Sequence, residues 1–185
     1  MCAIHRLYEI VGSRYTARMD KKISVCPGCG LRLPQMDTPM LAGYNASAEC
    51  IALFSQLSAY TVSLGDVEFT HQHVVDAYGA QHVGMFTKKV VPIMALVGLY
   101  LLLKHGYTGK QVQRAHMAIA DQTKDWPDLT HPTELASLNI LDVLKKERAA
   151  EKVAAIHTWC EAVWNSWQSE HEIVERFTKK YLEYL

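Results

Sequence analysis

The chain has 185 residues, 49% of them hydrophobic, and its 19 basic and 19 acidic residues cancel to a net charge of zero. That length is enough for one well-buried core and does not require two domains. The lack of net charge excludes the long-range attraction that gathers nucleic acids or anionic membranes, although local patches are still allowed.

The first 22 residues are rich in Lys and Arg and lack a continuous apolar segment. A secretory signal peptide needs an apolar segment of about 7–15 residues. We therefore expect a cytoplasmic location. We also expect residues 1–22 to be an N-terminal extension and residues 23–185 to form a single helical domain. The odd count of five cysteines agrees with that location, because it argues against a disulfide scaffold.

The segment Cys26-Pro27-Gly28-Cys29-Gly30 is the most specific motif. Two cysteines separated by two residues can fold back to share one tetrahedral ion, and this ligand type favours zinc. A redox dithiol has the same spacing, but it expects a strand-to-helix context rather than the Pro- and Gly-rich loop found here. No second Cys-x-x-Cys pair is present in the sequence. The candidates for the remaining ligands are Cys50, His71, His73, His82 and His171.

A first helix is predicted over about residues 45–60. Asn45 is a good N-cap, and apolar residues recur at helical spacing after it. Glu49 falls in the first turn, where the helix dipole favours a carboxylate without any catalytic role. It is also a candidate general acid or base.

A second helix is predicted over about residues 68–82. His71 and His82 share one face of it, and Asp76 lies on the opposite face. Along a straight helix the two histidines would be about 16 Å apart, too far to bind one ion. Either the helix breaks near Gly79, or only one histidine joins the cysteine pair. Both stay candidate ligands, and Asp76 is a candidate catalytic residue. The alternative is that these side chains only cap, hydrogen-bond or face solvent.

The apolar run over residues 90–103 is shorter than the roughly 20 residues of a membrane helix. It predicts a buried central helix that ends at His105 and Gly106. Thr108 and Gln111 then predict a capping box for a fourth helix that reaches about residue 121.

The prolines over residues 126–132 predict an ordered loop, and Asn139 predicts the cap of a short helix through about residue 145. From Glu151 onward a continuous apolar stripe predicts one long helix that spans the bundle. His171 lies on this stripe, where an imidazole must find a hydrogen-bond partner or a metal. It is a candidate catalytic residue, with a satisfied core histidine as the alternative.

The sequence shows no strand-like alternation of useful length. It therefore predicts an all-α fold, a helical bundle with an N-terminal metal-binding knuckle and loop.

Several segments of the chain form a recognisable set: Cys26–Gly30, Tyr44–Cys50, His71 with Val75–Tyr78, Gln81-His82, Trp126 with Leu129-Thr130, and Trp164 through Trp167 to His171. Together they resemble a bacterial family of unknown function, over about residues 24–180. That family has Gln-His-Pro-Gly where this chain has Val83 in place of the proline, which changes the expected end of the second helix. The resemblance implies no activity or substrate. It does imply one site formed by Cys26, Cys29, Glu49, His71, Asp76, Gln81, His82 and His171.

Two functions are compatible with this pattern. In the first, four protein ligands close a zinc site that staples the loop to the bundle, and polar residues form a surface for a small molecule or a protein partner. In the second, a zinc with an open position activates water to hydrolyse a small molecule, with Glu49, Asp76 or His171 as general acid or base. Zero net charge makes nucleic acid a poor partner. The sequence leaves the oligomeric state open.

Overall fold

A computed structural model gives the fold, and it describes residues 22–36 and 45–182. The predicted N-terminal extension lies outside the described residues except for Lys22, and so do residues 37–44, which include the end of the Pro- and Gly-rich segment predicted to form the knuckle and loop. The division into an extension and one helical domain therefore stays a prediction.

Two short strands frame the cysteine pair. β1 (Ile23–Val25) and β2 (Arg32–Pro34) are antiparallel, with Val25 opposite Arg32. The sequence analysis did not predict them, because a strand of three residues is too short to show the alternation by which strands are recognised.

The first two helices agree with the predicted ones in existence and approximate position. α1 (Ala48–Ser63) and α2 (His71–Gln81) pack against each other. The predicted N-cap of α1 was wrong. Ser47 is the cap, since its hydroxyl accepts a hydrogen bond from the Cys50 N–H. Asn45 instead donates its side-chain amide to the carbonyl of Val83.

The middle of the chain follows its local signals closely. α3 (Val90–His105) ends at Gly106, which has a left-handed φ of 65°. α4 (Gly109–Gln122) begins with the predicted capping box of Thr108 and Gln111. α5 (Ile140–Leu144) begins at the predicted cap, Asn139.

The C-terminal segment corrects the prediction of one long helix. It forms α6 (Ala149–Ser166), a 3₁₀ turn (Gln168–Glu170) and α7 (His171–Tyr181). α6 stops at Trp167, where ψ is 23°. The apolar pattern could not predict this break, because it continues into α7, where residues such as Val174 and Phe177 are also buried at helical spacing.

α3 lies at the centre of the bundle and packs against α2, α4, α6 and α7. Most of its residues are buried, as predicted for the apolar run. Among the described residues, no helix has the length and apolarity needed to cross a membrane. The predicted helical bundle with an N-terminal knuckle is confirmed.

Gly98 marks the closest approach of α2 to α3. A Cβ at this position would overlap the carboxylate of Asp76, a side chain that is itself buried. Gly79 in α2 differs, because a Cβ there would lie 3.5 Å from the Ala95 Cβ, an ordinary van der Waals contact.

We therefore expect Gly98→Ala to lower the free energy of unfolding by about 1–3 kcal/mol, as overpacking does. Gly79→Ala, the matched control, should raise it by about 0.5–1 kcal/mol, because glycine is entropically unfavourable inside a helix. Urea unfolding of both variants measures the difference. Equal effects would contradict the close packing of α2 on α3.

Candidate metal centre

Three cysteines and one histidine meet at the base of the knuckle. One ligand atom each from Cys26, Cys29, Cys50 and His82 lies within 4.8 Å of all the others. The Sγ atoms of Cys29 and Cys50 are 3.7 Å apart, and the Cys50 Sγ is 3.3 Å from the His82 Nε2. Tetrahedral zinc with bonds of about 2.3 Å to sulfur and about 2.0 Å to nitrogen would separate these pairs by about 3.8 and 3.5 Å. The spacing therefore fits one tetrahedral ion.

The knuckle presents its two cysteines through a tight turn. The N–H of Cys26 donates to the carbonyl of Leu31, and the N–H of Gly30 donates back to the carbonyl of Cys26, both at 2.8 Å. Gly30 has a φ of 71°, which glycine adopts without strain. A Cβ on Gly28 would lie 2.6 Å from the ring of His82, so only glycine lets the knuckle approach that ligand.

The other two ligands come from the start of α1 and the end of α2. Cys50 is in the first turn of α1, which Ser47 caps. His82 follows the last residue of α2, and its Nδ1 is 2.9 Å from the carbonyl oxygen of Tyr78. Because a carbonyl can only accept, Nδ1 carries the proton there, and this leaves the Nε2 lone pair for a metal.

The electrostatics of the cluster also indicate a cation. Hydrogen bonds from Cys29 and Cys50 hold the pKa of the Cys26 thiol far below its usual value. The same hydrogen bonding to Cys26 raises the pKa of Cys29 to about 11, and it raises the pKa of Cys50 as well. One sulfur therefore ionises readily, while the other two resist. A divalent ion supplies the positive charge that lets all three bind as thiolates, so the donor set fits a metal.

Of the four ligands predicted from the sequence, the structure brings together Cys26, Cys29 and His82. His71 lies outside the cluster, because α2 runs unbroken through Gly79 and keeps its two ends apart. The Nδ1 of His71 is instead 2.9 Å from the hydroxyl of Thr61.

Cys50 is the ligand that the sequence named only as one of several candidates. Periodicity placed it on the inner face of α1, but it could not show that the first turn of this helix meets the knuckle.

Glu49 is buried at the junction of the knuckle and α1. Its Oε1 accepts a hydrogen bond of 2.8 Å from the Met36 N–H, and this bond lowers the pKa of Glu49 to about 2. An ionised carboxylate in the first turn of a helix is favoured by the helix dipole. These contacts agree with the non-catalytic alternative for Glu49.

Asp76 is buried in the helical core, and His171 is half-buried at the start of α7. The Oδ1 of Asp76 accepts from the side chain of Gln72, and burial raises the pKa of Asp76 well above its usual value. The ring of His171 stacks on Trp164 with 3.8 Å between centroids, and its Nε2 is 3.0 Å from the carbonyl oxygen of Trp164. Within the described residues, neither belongs to the group of clustered ligands.

Comparison with known proteins gives one match. The model of a family described as "Family of unknown function (DUF5946)" matches residues 24–168, a span that includes all four clustered ligands. No curated protein and no solved structure matches the chain.

Replacing Cys50 tests its membership of the centre. We expect Cys50→Ser to lose most of the bound metal, because a serine hydroxyl is a far weaker ligand than a thiolate. Cys160→Ser is the matched control. Cys160 is an equally buried thiol, but it donates to the carbonyl of His73 and lies outside the cluster. Elemental analysis of both purified variants gives the result. Equal metal content in the two would remove Cys50 from the ligand set.

Proposed function

We propose that this chain, which belongs to the family of unknown function DUF5946, is a zinc protein whose ion has a structural role. The zinc fastens the N-terminal knuckle to the helical bundle, and nearby polar residues form a surface for a small molecule or a protein partner. The closed set of four ligands from the chain itself carries this proposal.

The closed set matters because structural and catalytic zinc sites differ in their fourth position. Structural sites have four protein ligands, whereas catalytic sites keep three and leave the fourth position to water or substrate. Here the four ligand residues are between 0% and 6% exposed. Such burial keeps water away from the ion, and it favours the structural role over the hydrolytic one.

The knuckle also needs an anchor. A hairpin with two strands of three residues has almost no hydrophobic face of its own, and an isolated two-stranded hairpin is marginally stable at best. An ion bound by Cys26 and Cys29 of the hairpin and by Cys50 and His82 of the bundle would join the hairpin to two helices at once. Binding of the ion then becomes part of the folding free energy.

A cavity of about 190 Å³ beside the knuckle supports the proposed ligand surface. Its lining includes Pro27 and Gly28 of the knuckle, Gln81, Trp167 and the exposed His131. A lining that combines an aromatic side chain with a few polar groups is common in small-molecule sites. A protein partner is the alternative occupant of this surface. Nucleic acid is a poor partner for a chain with zero net charge.

We also propose a cytoplasmic location. The four cysteines of the described residues form no disulfides, and reduced thiols are expected where cellular reductants maintain them.

Metal analysis tests the structural proposal. We expect one zinc per chain, with X-ray absorption showing three sulfur ligands, one nitrogen ligand and no bound water. Removing zinc with a strong chelator should lower Tm by about 10 °C. That shift corresponds to a loss of about 4 kcal/mol in the free energy of unfolding, which is the stabilisation expected when the free zinc concentration is about a thousand times the Kd. A site with bound water, or an unchanged Tm after complete removal, would contradict the structural role.

Single replacements test the hydrolytic alternative. We expect Glu49→Ala, Asp76→Ala and His171→Ala each to keep one zinc per chain. Glu49→Ala should lower the free energy of unfolding by about 1–3 kcal/mol, because the Met36 N–H loses its charged acceptor. Elemental analysis and urea unfolding measure these effects. If the wild type hydrolyses a small molecule, and one of these variants loses that activity while it still binds zinc, the enzyme hypothesis is favoured.

A further inference from the structure

We propose that Tyr78 is the positioning residue of the metal centre. It orients two of the four ligands, and its hydroxyl, by donating to the sulfur of Cys50, sets how strongly that thiolate donates electrons to the ion. The inference rests on the proposed metal function and adds the residue that positions two of its ligands.

The first contact of Tyr78 is with His82. The two residues are one helical turn apart, so they share a face at the end of α2. The Tyr78 carbonyl accepts the Nδ1 hydrogen of His82, and the two rings stack with 3.9 Å between centroids at 25°. The hydrogen bond fixes which nitrogen is free, and the stacking fixes the plane of the imidazole.

The second contact is with Cys50 on α1. The Tyr78 hydroxyl oxygen lies 3.7 Å from the Cys50 Sγ, and Tyr78 is only 5% exposed. A buried tyrosine hydroxyl normally finds an acceptor. A metal-bound thiolate is a charged acceptor, and hydrogen bonds to charged groups are about twice as strong as neutral ones. The bond draws electron density from the sulfur and stabilises its ionised form.

A third side chain holds Tyr78 in place. Phe54 of α1 stacks on the Tyr78 ring with 4.0 Å between centroids at 18°. The rings of Phe54 and His82 both stack on Tyr78, so its hydroxyl has little freedom to leave Cys50. One residue of α2 therefore sets the orientation of ligands from both helices.

The test removes only the hydroxyl. Tyr78→Phe keeps the ring and its stacking. Tyr100→Phe is the matched control, because Tyr100 is also 5% exposed and packs near Trp164 in the core. Full-length proteins are freed of metal and titrated with zinc against a chromophoric chelator. They are then loaded with Co²⁺ to record the sulfur-to-cobalt charge-transfer band.

We expect Tyr78→Phe to bind zinc about 10–100-fold more weakly, the usual cost of losing a partner that holds a metal ligand. Its charge-transfer band should move to lower energy, because a thiolate without its hydrogen bond releases an electron more easily. Tyr100→Phe should match the wild type in both measurements. If Tyr78→Phe matches Tyr100→Phe in affinity and band position, the proposal is overturned.

Site-specific replacement of Tyr78 by 3-fluorotyrosine gives a second measurement that does not depend on the folding of Tyr78→Phe. The fluorinated phenol is a stronger donor, so the band of the otherwise wild-type protein should move to higher energy. An unmoved band overturns the role of Tyr78 while leaving the zinc site intact. A wild-type protein that binds neither zinc nor Co²⁺ overturns the proposed function itself, and the two failures are therefore distinguishable.

Discussion

Three cysteine sulfurs packed against one imidazole can all be thiolates only when a positive charge lies between them. In this chain the four ligand atoms lie within 4.8 Å of one another, and Cys26 opposes the ionisation of Cys29 and Cys50. A bound cation would turn this opposition into attraction. Because the four residues come from the knuckle, the first turn of α1 and the end of α2, the same attraction would hold these three segments together.

The bundle provides the stiffness that such a cluster needs. α2 packs against α1, α3, α4 and α6, so the position of its C-terminal end is fixed from several sides. Gly98 lets α3 lie directly against α2, and Gly28 lets the knuckle approach His82 in the same way. Because glycine has no side chain, the backbone at these two contacts can approach the neighbouring segment closely.

Much of the fold follows from short-range signals in the sequence. The ends of α3, α4 and α5 are marked by Gly106, by the Thr108 and Gln111 box, and by Asn139, and each signal acts within one helical turn. The break after Ser166 had no such mark, since the apolar stripe continues through α7. The ligand set was only partly predictable for the same reason. Helical periodicity gives the face on which Cys50, His71 and His82 lie, but the choice among them depends on which helix end meets the knuckle.

The break between α6 and α7 has a consequence for the opposite end of the chain. It directs the indole of Trp167 toward α2, where its Nε1 donates to the carbonyl of Ala80 at 3.3 Å. Ala80 belongs to the last turn of α2, where carbonyls lack partners within their own helix, and it lies two residues before His82. During synthesis all four clustered residues leave the ribosome well before Trp167 does. A metal that bound at that stage would therefore meet an incomplete helix end, and the arrival of the C-terminal segment would complete its support.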